Sequence, residues 1–440
     1  MRELTAKTII ILFDLLIITF SIYFADFLRS NFAEFIGTPH TAPLTNYSAI
    51  LPLYILPIVL FAYEGIYTYR YDFWHESRLI LKGILFSAIL VFSYLAITKS
   101  IGVYSRIVIG SSFLFMALLI PISKNFTKKL LYRLGLWSKK AKIYGNDPFL
   151  TQEIYGNPYL GYIEPKEGEE PSTLFVNPKG DDAASLKEII SSQMQKRSEV
   201  IFIPFIDDYD LTHSHIYELS NTRTNLIVYQ NRLKNRYLLL SKRITDMFLS
   251  ILISPFLIIP MIYIAYRIHK EEPGTPILFK QKRLGQEKNI FVCYKFRTMY
   301  DESEEILQKY LSKNPDEISY YNQYHKYKND PRITPIGKLL RRTSLDELPQ
   351  IFNVFKQEMS FIGPRPYMLD EKEEVGDTLD IILAVRPGIT GLWQVSGRSD
   401  VDFHSRIDLD VWYIRNWNLW MDLVILIKTI KTVFLKKGAH

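Results

Sequence analysis

The sequence predicts a membrane protein of mixed α and α/β class: a four-helix transmembrane bundle, a Rossmann-like middle domain, and a mostly helical C-terminal domain with a re-entrant membrane helix. Three observations predict this class. Four apolar stretches occupy the first 121 residues, β-rich runs alternate with polar helical segments in the middle, and a fifth apolar stretch contains two prolines. The predicted domains are 1–138, 139–240 and 241–440.

The bundle is predicted from four apolar stretches, at about 8–28, 49–68, 79–97 and 104–121. Each approaches the ~20 residues that cross a hydrocarbon layer of ~30 Å. Lys and Arg become dense after the fourth stretch, so both the N-terminus and everything after about residue 124 are expected in the cytoplasm. Asp14 lies inside the first stretch, and it is either functional or paired within the bundle.

The fifth apolar stretch, MFLSILISPFLIIPMIYIAY at 247–266, is long enough to cross the membrane. Pro255 and Pro260 interrupt it, and basic residues flank it on both sides. These features favour a helix that enters one leaflet, bends at Ser254-Pro255 and returns, with the Ser254 hydroxyl helping to satisfy a freed carbonyl. A proline-kinked helix that crosses the membrane is the alternative.

The middle domain is predicted from four β-rich runs: AKIYG (141–145), TLFVN (173–177), EVIFIPF (199–205) and NLIVYQ (225–230). Polar helical segments such as ASLKEIISSQMQK separate them, which is typical of βαβ units with a parallel sheet. A dinucleotide site would need G-x-G-x-x-G after the first strand, whereas the chain has the single glycine Gly145 there. We therefore expect a Rossmann-like domain without a cofactor, used for regulation or dimerisation.

Composition narrows the possible partners. The net charge of +7 suits nucleic acid, anionic lipid or phosphorylated substrates, and the apolar stretches argue against nucleic acid. With Cys293 as the single cysteine, an intrachain disulfide is impossible and a cysteine-based metal site is not expected. Cys293 is interpreted as an ordinary strand residue, and the isolated His404 as structural or surface.

An acid pair stands out among the motif-like clusters of the C-terminal domain, which are FKQKRLGQ (279–286), FVCYKFRTM (291–299), RITPIGKLLRRTSLDELPQIFNVF (332–355), MSFIGPRPYM (359–368) and RPGITGLWQVSGR (386–398). Asp346 and Glu347 precede Leu348-Pro349, which places them near a helix N-terminus, where anions are stabilised. The alternative is a capping box formed by Ser344 and Glu347.

The same clusters concentrate cations: Lys295, Arg297, Arg341, Arg342, Arg365, Arg386 and Arg398. Arg365 lies between two prolines that fix its backbone, and a rigid guanidinium suits bidentate phosphate binding. Such cations beside an acid pair point to a diphosphate substrate. One carboxylate would attack phosphorus, and the other would help to hold Mg²⁺. We expect the side chains of Asp346 and Arg365 to face one site, and the hypothesis fails if they point into separate, unconnected environments.

The C-terminal run at 422–437 combines an apolar face with lysines and follows Trp412, Trp417 and Trp420. This pattern is typical of an amphipathic segment in the membrane interface, with the tryptophans as anchors. A buried core helix is the alternative.

The motifs K-F-R-T-M, S-L-D-E-L-P-Q, G-P-R-P and R-P-G-I-T-G, in this order over about 240–440, resemble those of the bacterial sugar transferase family, the monotopic phosphoglycosyl transferases. With four spans and a Rossmann-like middle domain, the whole chain resembles the large WbaP-like members, the polyprenyl-phosphate hexose-1-phosphate transferases.

The resemblance implies a reaction in which Asp346 attacks the β-phosphate of a UDP-sugar, UMP leaves, and undecaprenyl phosphate takes the sugar phosphate from the aspartyl intermediate. It implies that the catalytic residues are Asp346, Glu347, Lys295 and Arg365, with Glu347 associated with Mg²⁺, possibly together with Asp346. Ser254-Pro255 matches the break in the family's re-entrant helix. The remaining cations Arg297, Arg341, Arg386 and Arg398 are assigned to substrate phosphates, with the choice between Arg341 and Arg342 open. Asp408 and Asp410 fall in a similar acidic stretch.

The resemblance also implies a setting: the bacterial plasma membrane, with the catalytic domain on the cytoplasmic face against the lipid bilayer. The reaction would be the first membrane step of O-antigen, capsule or exopolysaccharide synthesis, and a homodimer is expected by analogy. Galactose and glucose are equally compatible with the sequence.

Two other classes of protein share some of these features. A nucleotide-sugar dehydratase or epimerase would need a glycine-rich turn after 141–145, a Tyr-x-x-x-Lys pair and a longer nucleotide-binding domain. A non-enzymatic membrane scaffold of polysaccharide export would explain the spans and the middle domain. It would not explain why acids, prolines and arginines concentrate after residue 279.

Overall fold

The computed structural model describes residues 2–32, 47, 50–100, 103–145, 148–166, 169–177, 199–203, 215–219, 224–228, 235–301, 303–318, 327, 330–396 and 402–435. The chain divides into two compact units, Met1–Asp207 and Asp208–His440. Within the described residues, four helices are long and apolar enough to cross a membrane: Glu3–Asn31, Phe73–Ile97, Arg106–Arg133 and Arg236–Glu271.

The helices of the first unit that follow the predicted spans are α1 (Arg2–Asn31), α2 (Leu51–Tyr63), α3 (Phe73–Ile97) and α4 (Arg106–Arg133). Asp72 and Ser105 cap α3 and α4 by accepting backbone N–H bonds. The helix α2 is shorter than the predicted stretch 49–68. It ends because Gly65 adopts a positive φ of 75° and its N–H bonds back to Ala62, closing the helix with a left-handed cap.

Buried charges pair inside this unit. The Lys124 ammonium lies 2.7 Å from the Asp14 carboxylate, the Tyr67 hydroxyl donates to the same carboxylate at 2.7 Å, and Lys128 pairs with Glu76. The side chains of Asp14 and Lys124 are each 1% exposed, so each charge depends on its partner. Of the two interpretations of Asp14, pairing within the bundle is the one observed. The helix α4 continues past the predicted end at 121 and carries both lysines inward.

A parallel sheet follows, with strands β1 (Lys139–Tyr144), β2 (Tyr162–Ile163), β3 (Thr173–Val176) and β4 (Glu199–Phe202) in the order β2-β1-β3-β4, and helix α5 (Pro148–Gly156) after β1. The parallel pairing of β1, β3 and β4 agrees with the βαβ pattern. The segment ASLKEIISSQMQK lies outside the described residues, so the Rossmann-like fold stays a prediction. A Cβ on Gly145 would lie 2.5 Å from the Asn177 carbonyl oxygen, so this glycine permits close packing at the strand ends.

The predicted fourth strand of that sheet was placed wrongly. Strand β6 (Thr224–Val228) pairs antiparallel with β5 (His215–Leu219) in a separate two-stranded ribbon. A short apolar run predicts a strand but not its partner, because a neighbouring segment of similar character can pair with it locally.

The second unit is mostly helical, as predicted. After the ribbon of β5 and β6, its helices and strands are α6 (Arg236–Glu271), β7 (Leu278–Leu284), β8 (Ile290–Phe296), α7 (Ser303–Leu311), α8 (Pro335–Thr343), α9 (Ile351–Phe355), β9 (Ser360–Ile362), α10 (Lys372–Val375), α11 (Leu379–Ile382), β10 (Gly388–Thr390), α12 (Leu392–Ser396), α13 (Phe403–Asn416) and α14 (Leu419–Leu435). Strands β7 and β8 form an antiparallel hairpin, and β9 and β10 pair in parallel. Cys293 is a buried residue of β8.

The helix α6 contains both prolines without interruption. Pro255 has no N–H to offer the Ile251 carbonyl, and the Ser254 hydroxyl donates to that carbonyl at 3.2 Å instead. The expected role of Ser254 is therefore observed, while the re-entrant course of the helix stays a prediction. The side chains of Ile253 and Leu257 pack against the main core of the unit.

The C-terminal helix α14 has two faces. Asp422 and Ile425 are buried, whereas Leu419, Leu423, Ile427 and Ile430 form an exposed apolar stripe. Trp417 is 1% exposed, and its indole N–H donates to Asp422 at 3.1 Å. The expectation that Trp417 is an interfacial anchor was therefore wrong, because this carboxylate holds it in the core. The interfacial position of α14 itself stays a prediction.

Candidate active site

The site is built where a strand and a tight turn meet. Strand β8 carries Lys295, and the acid pair lies on a 3-10 helix, Leu345–Gln350, which continues into α9. Asn353, fully buried in α9, donates to the Val292 carbonyl at 2.7 Å and accepts from the Tyr294 N–H at 3.1 Å. These two bonds hold the turn against the strand and bring Lys295 to the acids.

The acid pair begins just after a change of backbone direction. Helix α8 ends at Thr343, and the next residue, Ser344, has a φ of 55°, which is uncommon for a residue other than glycine. The Ser344 side chain makes no capping hydrogen bond, and the Glu347 carboxylate accepts from the Lys295 ammonium at 2.6 Å. The capping-box alternative is therefore wrong: Glu347 points to a cation and not back to the turn.

Electrostatics distinguish the two acids. Burial, followed by the negative charge of Glu347, raises the pKa of Asp346 to about 6, against the opposing charges of Lys295 and Arg341. Burial alone would lower the pKa of Lys295, but the carboxylates of Glu347 and Asp346 outweigh it and raise that pKa. Asp346 is therefore an ionised carboxylate at neutral pH, held in an environment that does not fully compensate its charge.

Both acids line a cavity of ≈ 1100 Å³. Six of its lining residues are cations: Arg283, Lys295, Arg297, Arg332, Arg341 and Arg406. Apolar side chains of α6, of the segment around β10 and of α14 also line it: Ile253, Leu257, Ile389, Val395, Leu426 and Ile430. The cavity thus offers a cationic surface and an apolar surface beside the same pair of carboxylates.

The structure resolves the choice between the two adjacent arginines. Arg341 lines the cavity and donates from Nε to the Thr298 hydroxyl at 3.0 Å. Both arginines are exposed to solvent, but Arg342 does not line the cavity. Arg297 also lines the cavity, and its guanidinium pairs with Asp301 at 2.6 Å. The predicted positions of Lys295, Arg297 and Arg341 are thus brought together with Asp346.

The motifs G-P-R-P and R-P-G-I-T-G pack directly against each other. The Gly363 N–H bonds to the Thr390 carbonyl at 3.0 Å, and the Gly388 N–H to the Pro364 carbonyl at 2.8 Å. A Cβ on Gly388 would lie 2.1 Å from the Gly363 nitrogen, so this crossing requires glycine. The two motifs form one rigid unit, which fixes where their arginines point.

Arg365 does not line the cavity. Its guanidinium pairs with the buried Glu371 carboxylate at 2.8 Å, so the expectation that Arg365 and Asp346 face one site is not met. The Glu371 carboxylate also lies 3.9 Å from the guanidinium of Arg283, which lines the cavity, so Arg365 is connected to the cavity through a shared acid. Burial and then the charge of Arg365 lower the pKa of Arg283 and of Arg406. Arg365 therefore lies behind the residues that line the cavity, held there by its ion pair with Glu371.

The other residues predicted from these motifs lie in different places. Arg386 lines a separate, smaller cavity, and Arg398 lies outside the described residues. Asp410 is fully buried and accepts from the Arg365 backbone N–H and the Tyr367 hydroxyl, each at 3.0 Å. Burial raises the pKa of Asp410 to about 7. Asp410 thus anchors the G-P-R-P turn, and Asp408 is exposed.

Sequence reasoning missed Arg283, Arg332 and Arg406 as lining cations. Arg283 and Arg332 lay inside the quoted clusters FKQKRLGQ and RITPIGK, so their positions within motifs were an available signal. The guanidinium of Arg406 lies 5.1 Å from the centre of the Trp393 ring, a contact that only the packing of α13 against α12 reveals.

The acid pair has the oxygen ligands that Mg²⁺ prefers. This ion binds through one or two carboxylates and keeps several waters and substrate oxygens. Asp346 and Glu347 supply two adjacent carboxylates facing a cavity, and the short contact to Lys295 uses one oxygen of Glu347. Among the described residues, no group of three or more His, Cys, Asp or Glu side chains forms a closed metal cage.

The residues that build the cavity fall within a region matched by a known family. The model described as bacterial sugar transferase matches residues 237–436, which include the acid pair, Lys295 and both arginine turns. The second unit is therefore the transferase part of this membrane-associated chain.

Relatives extend the similarity beyond that unit. An "Undecaprenyl-phosphate galactose phosphotransferase" of Salmonella typhimurium is 36% identical over 413 residues, 85% of this chain and 84% of the relative. A "UDP-glucose:undecaprenyl-phosphate glucose-1-phosphate transferase" of Klebsiella pneumoniae is 27% identical over 97% of this chain and 95% of its own. "Exopolysaccharide production protein ExoY" of Rhizobium meliloti is 41% identical over 41% of this chain and 80% of its own. This chain belongs to the bacterial sugar transferase family.

Proposed function

We propose that this protein transfers a hexose-1-phosphate from a UDP-sugar to undecaprenyl phosphate in the bacterial plasma membrane, with release of UMP. The product begins the synthesis of a polysaccharide such as O-antigen, capsule or exopolysaccharide. The observation that carries the proposal is the ionisable Asp346 carboxylate in a cavity with six lining cations and an apolar wall.

The reaction proceeds in two displacements at one phosphorus atom. An Asp346 carboxylate oxygen bonds to the β-phosphorus of the UDP-sugar, and the bond to the bridging oxygen breaks, so that UMP leaves with the electron pair. A phosphate oxygen of undecaprenyl phosphate then attacks the same phosphorus, and the carboxylate is released. The covalent step divides one difficult displacement into two easier ones.

The cavity supports both displacements. Arg297 and Arg341 line it beside Asp346, and guanidinium groups bind phosphate oxygens in bidentate fashion. The volume of ≈ 1100 Å³ exceeds the range of ~300–1,000 Å³ that is typical for one small ligand. Donor and acceptor head group can therefore occupy it in turn or partly together.

The apolar wall supports the lipid acceptor. Ile253 and Leu257 belong to the apolar part of α6, and Leu426 and Ile430 to the C-terminal helix. A prenyl chain that enters between these side chains is shielded from water, while its phosphate lies next to the acids. The names of the relatives from Salmonella and Klebsiella support this acceptor, and they support galactose and glucose equally as the sugar.

The function is tested by measuring UMP release from a panel of UDP-sugars, with purified full-length protein and undecaprenyl phosphate. We expect release with UDP-galactose or UDP-glucose that depends on the lipid phosphate for multiple turnovers. Formation of the lipid diphosphate sugar should match UMP release mole for mole. Inactivity with every UDP-sugar in the panel, from protein that is folded and membrane-bound, would contradict the proposal.

EDTA should stop the reaction, and excess Mg²⁺ should restore it. Glu347, with Asp346 beside it, would hold Mg²⁺, and the bound ion would neutralise negative charge on the diphosphate. The measurement is UMP release before and after chelation, with EDTA pre-saturated with Mg²⁺ as the control. Full turnover in metal-free buffer would remove the role proposed for Glu347.

Both ends of α6 contact the same unit, which supports a re-entrant course. Near its N-terminal end, Asp246 accepts from the Ser360 hydroxyl at 2.6 Å. At the other end, Glu271 accepts from the Ile336 N–H at 3.1 Å. The ends of a spanning helix would lie on opposite sides of a layer ~30 Å thick. The contacts of Asp246 and Glu271 with one polar unit therefore favour a course in which both ends of α6 lie on the cytoplasmic side.

We expect cysteines placed at Arg236 and at Lys270 to react from the cytoplasmic side only. Both positions are exposed, and the natural Cys293, which is 1% exposed, is replaced by alanine in the background. An impermeant maleimide should label both variants in inverted vesicles and neither in intact spheroplasts, with the cysteine-free background as the control. Labelling from opposite sides would establish a spanning helix.

A further inference from the structure

A second cationic cavity lies in the same unit as the acid pair. Its volume is ≈ 40 Å³, and it shares no lining residue with the cavity of Asp346. This space suits a few waters or one phosphate group and is too small for a nucleotide sugar. Its charged lining residues are Lys242, Arg243, Asp246 and Arg386.

Two of these four charges are already satisfied inside the protein. The Lys242 ammonium lies 2.7 Å from the Asp422 carboxylate and donates to the Ile362 carbonyl at 3.0 Å. The Asp246 carboxylate accepts from the Ser360 hydroxyl at 2.6 Å and from the Phe361 N–H at 3.2 Å. These contacts fix α6 to strand β9. The Lys242 charge is paired with Asp422, whereas Asp246 accepts from neutral donors and keeps its negative charge near Arg386.

Arg243 and Arg386 are the two remaining charges. Within the described part of the chain, neither guanidinium has an ion pair or a hydrogen bond. The charge of Arg243 acts on Arg386: burial first and then this like charge lower the pKa of Arg386. Three cations and one carboxylate, Asp246, line this cavity, so the net charge of its lining is positive. Two guanidinium groups that face such a cavity favour an anion that bridges them.

The backbone holds Arg386 in place. The next residue is the buried Pro387, whose carbonyl accepts from the Ser360 N–H at 2.8 Å. Gly388 then begins strand β10. Arg386 is thus pre-positioned by the glycine-mediated packing of the two arginine motifs, whereas Arg243 is carried by α6.

Helix α6, which carries Arg243, also has exposed apolar side chains before and after this residue. Exposed apolar side chains recur every three or four residues along its first half: Tyr237, Leu240, Ile244, Phe248 and Ile251, each more than half exposed. Such an exposed stripe on a helix with basic neighbours is typical of contact with lipid. The two arginines therefore lie where lipid head groups would be.

We propose that Arg243 and Arg386 bind the phosphodiester head group of an anionic phospholipid, and that this contact docks the second unit on the membrane. The lipid is phosphatidylglycerol-like in chemistry: a phosphate that bridges two guanidinium groups, with acyl chains along the exposed face of α6. Basic pockets beside membrane helices bind anionic head groups in this way. The proposal is independent of the chemistry assigned to Asp346.

The test uses full-length detergent-purified protein and native mass spectrometry with added short-chain phosphatidylglycerol. We expect one tightly bound lipid on the wild type, and binding at least tenfold weaker in Arg243→Gln/Arg386→Gln. The double variant Lys313→Gln/Lys372→Gln, which removes the same charge from exposed positions outside both cavities, should bind as the wild type does. Arg243→Gln alone changes an exposed residue, does not threaten folding and should weaken binding severalfold.

Three results would overturn the proposal. The first is equal binding of phosphatidylglycerol to the wild type and the arginine double variant. The second is equal binding of zwitterionic phosphatidylcholine, or displacement of the lipid by inorganic phosphate at millimolar concentration, which would indicate an unspecific or a free-phosphate site. The third is a raised KM for the UDP-sugar in Arg386→Gln with unchanged lipid binding, which would assign Arg386 to the substrate.

Discussion

Replacing Asp346 with asparagine should abolish transfer, with a loss of at least about 10⁴-fold, because an amide cannot form the phosphorus–oxygen bond of the proposed intermediate. UMP release and the covalent phosphosugar on the protein should disappear together. The intermediate is measured by mass spectrometry of the peptide that contains residue 346, after incubation with UDP-sugar and without the lipid acceptor.

The same variant should remain folded. The pKa of Asp346 is raised to about 6 from the usual value near 3.8, so the protonated form favours the folded state. That contribution is present below about pH 4 and is lost as pH rises through about 6. Because asparagine is neutral throughout, Asp346→Asn should be at least as heat-stable as the wild type at pH 7.5.

The matched control is Asp408→Asn, which removes an exposed acid of the same unit and should keep wild-type turnover. Substantial residual transfer in Asp346→Asn would exclude this residue as the nucleophile. A phosphosugar found on another residue would do the same.

Lys295→Met should lower the rate at neutral pH by roughly 10²–10³-fold, the scale of losing one preorganised charge at a reacting centre. The Lys295 ammonium lies 2.6 Å from Glu347 and opposes the rise in the pKa of Asp346. Without it, two adjacent carboxyl groups share a half-buried site. The pKa of Asp346 should then move above 6, by about 1 unit or more, and less of the nucleophile is ionised.

The shift can be measured without the metal. In EDTA-treated protein, a carbodiimide modifies the protonated carboxyl, so the pH dependence of modification at Asp346 reports its pKa. The midpoint should lie near 6 in the wild type, higher in Lys295→Met and lower in Glu347→Gln, which removes the neighbouring negative charge. Lys295→Arg retains the cation and should stay close to the wild type. One common midpoint in all four proteins would refute this account of the site.

Much of the arrangement was predictable from the sequence. The apolar stretches identified α1, α3, α4 and α6, and the acid pair, Lys295, Arg297 and Arg341, which were expected near one another, all line one cavity. The help that Ser254 gives to a carbonyl freed by Pro255 was predictable as well. Each of these depends on local chemistry: hydrophobic length, a missing backbone donor, or motif residues that one hairpin and one turn bring together.

The long-range placement of Arg365 and Arg386 was not predictable. Both occupy rigid turns rich in glycine and proline, and both were expected at the substrate phosphates. The crossing at Gly363 and Gly388 turns Arg365 toward Glu371 and Arg386 toward Arg243. A rigid backbone predicts that an arginine is held in place, but it does not predict the direction in which the side chain points.

The membrane character of the chain, the mostly helical second unit and the acid pair could be recognised from the amino-acid sequence, because apolar length and motif chemistry are local properties. The cations that line the cavity of Asp346, the contact of Glu347 with Lys295 in place of a helix cap, and the burial of Trp417 became known from the folded chain. These outcomes depend on partners many residues away, whose positions are fixed by close packing and by the pairing of buried charges.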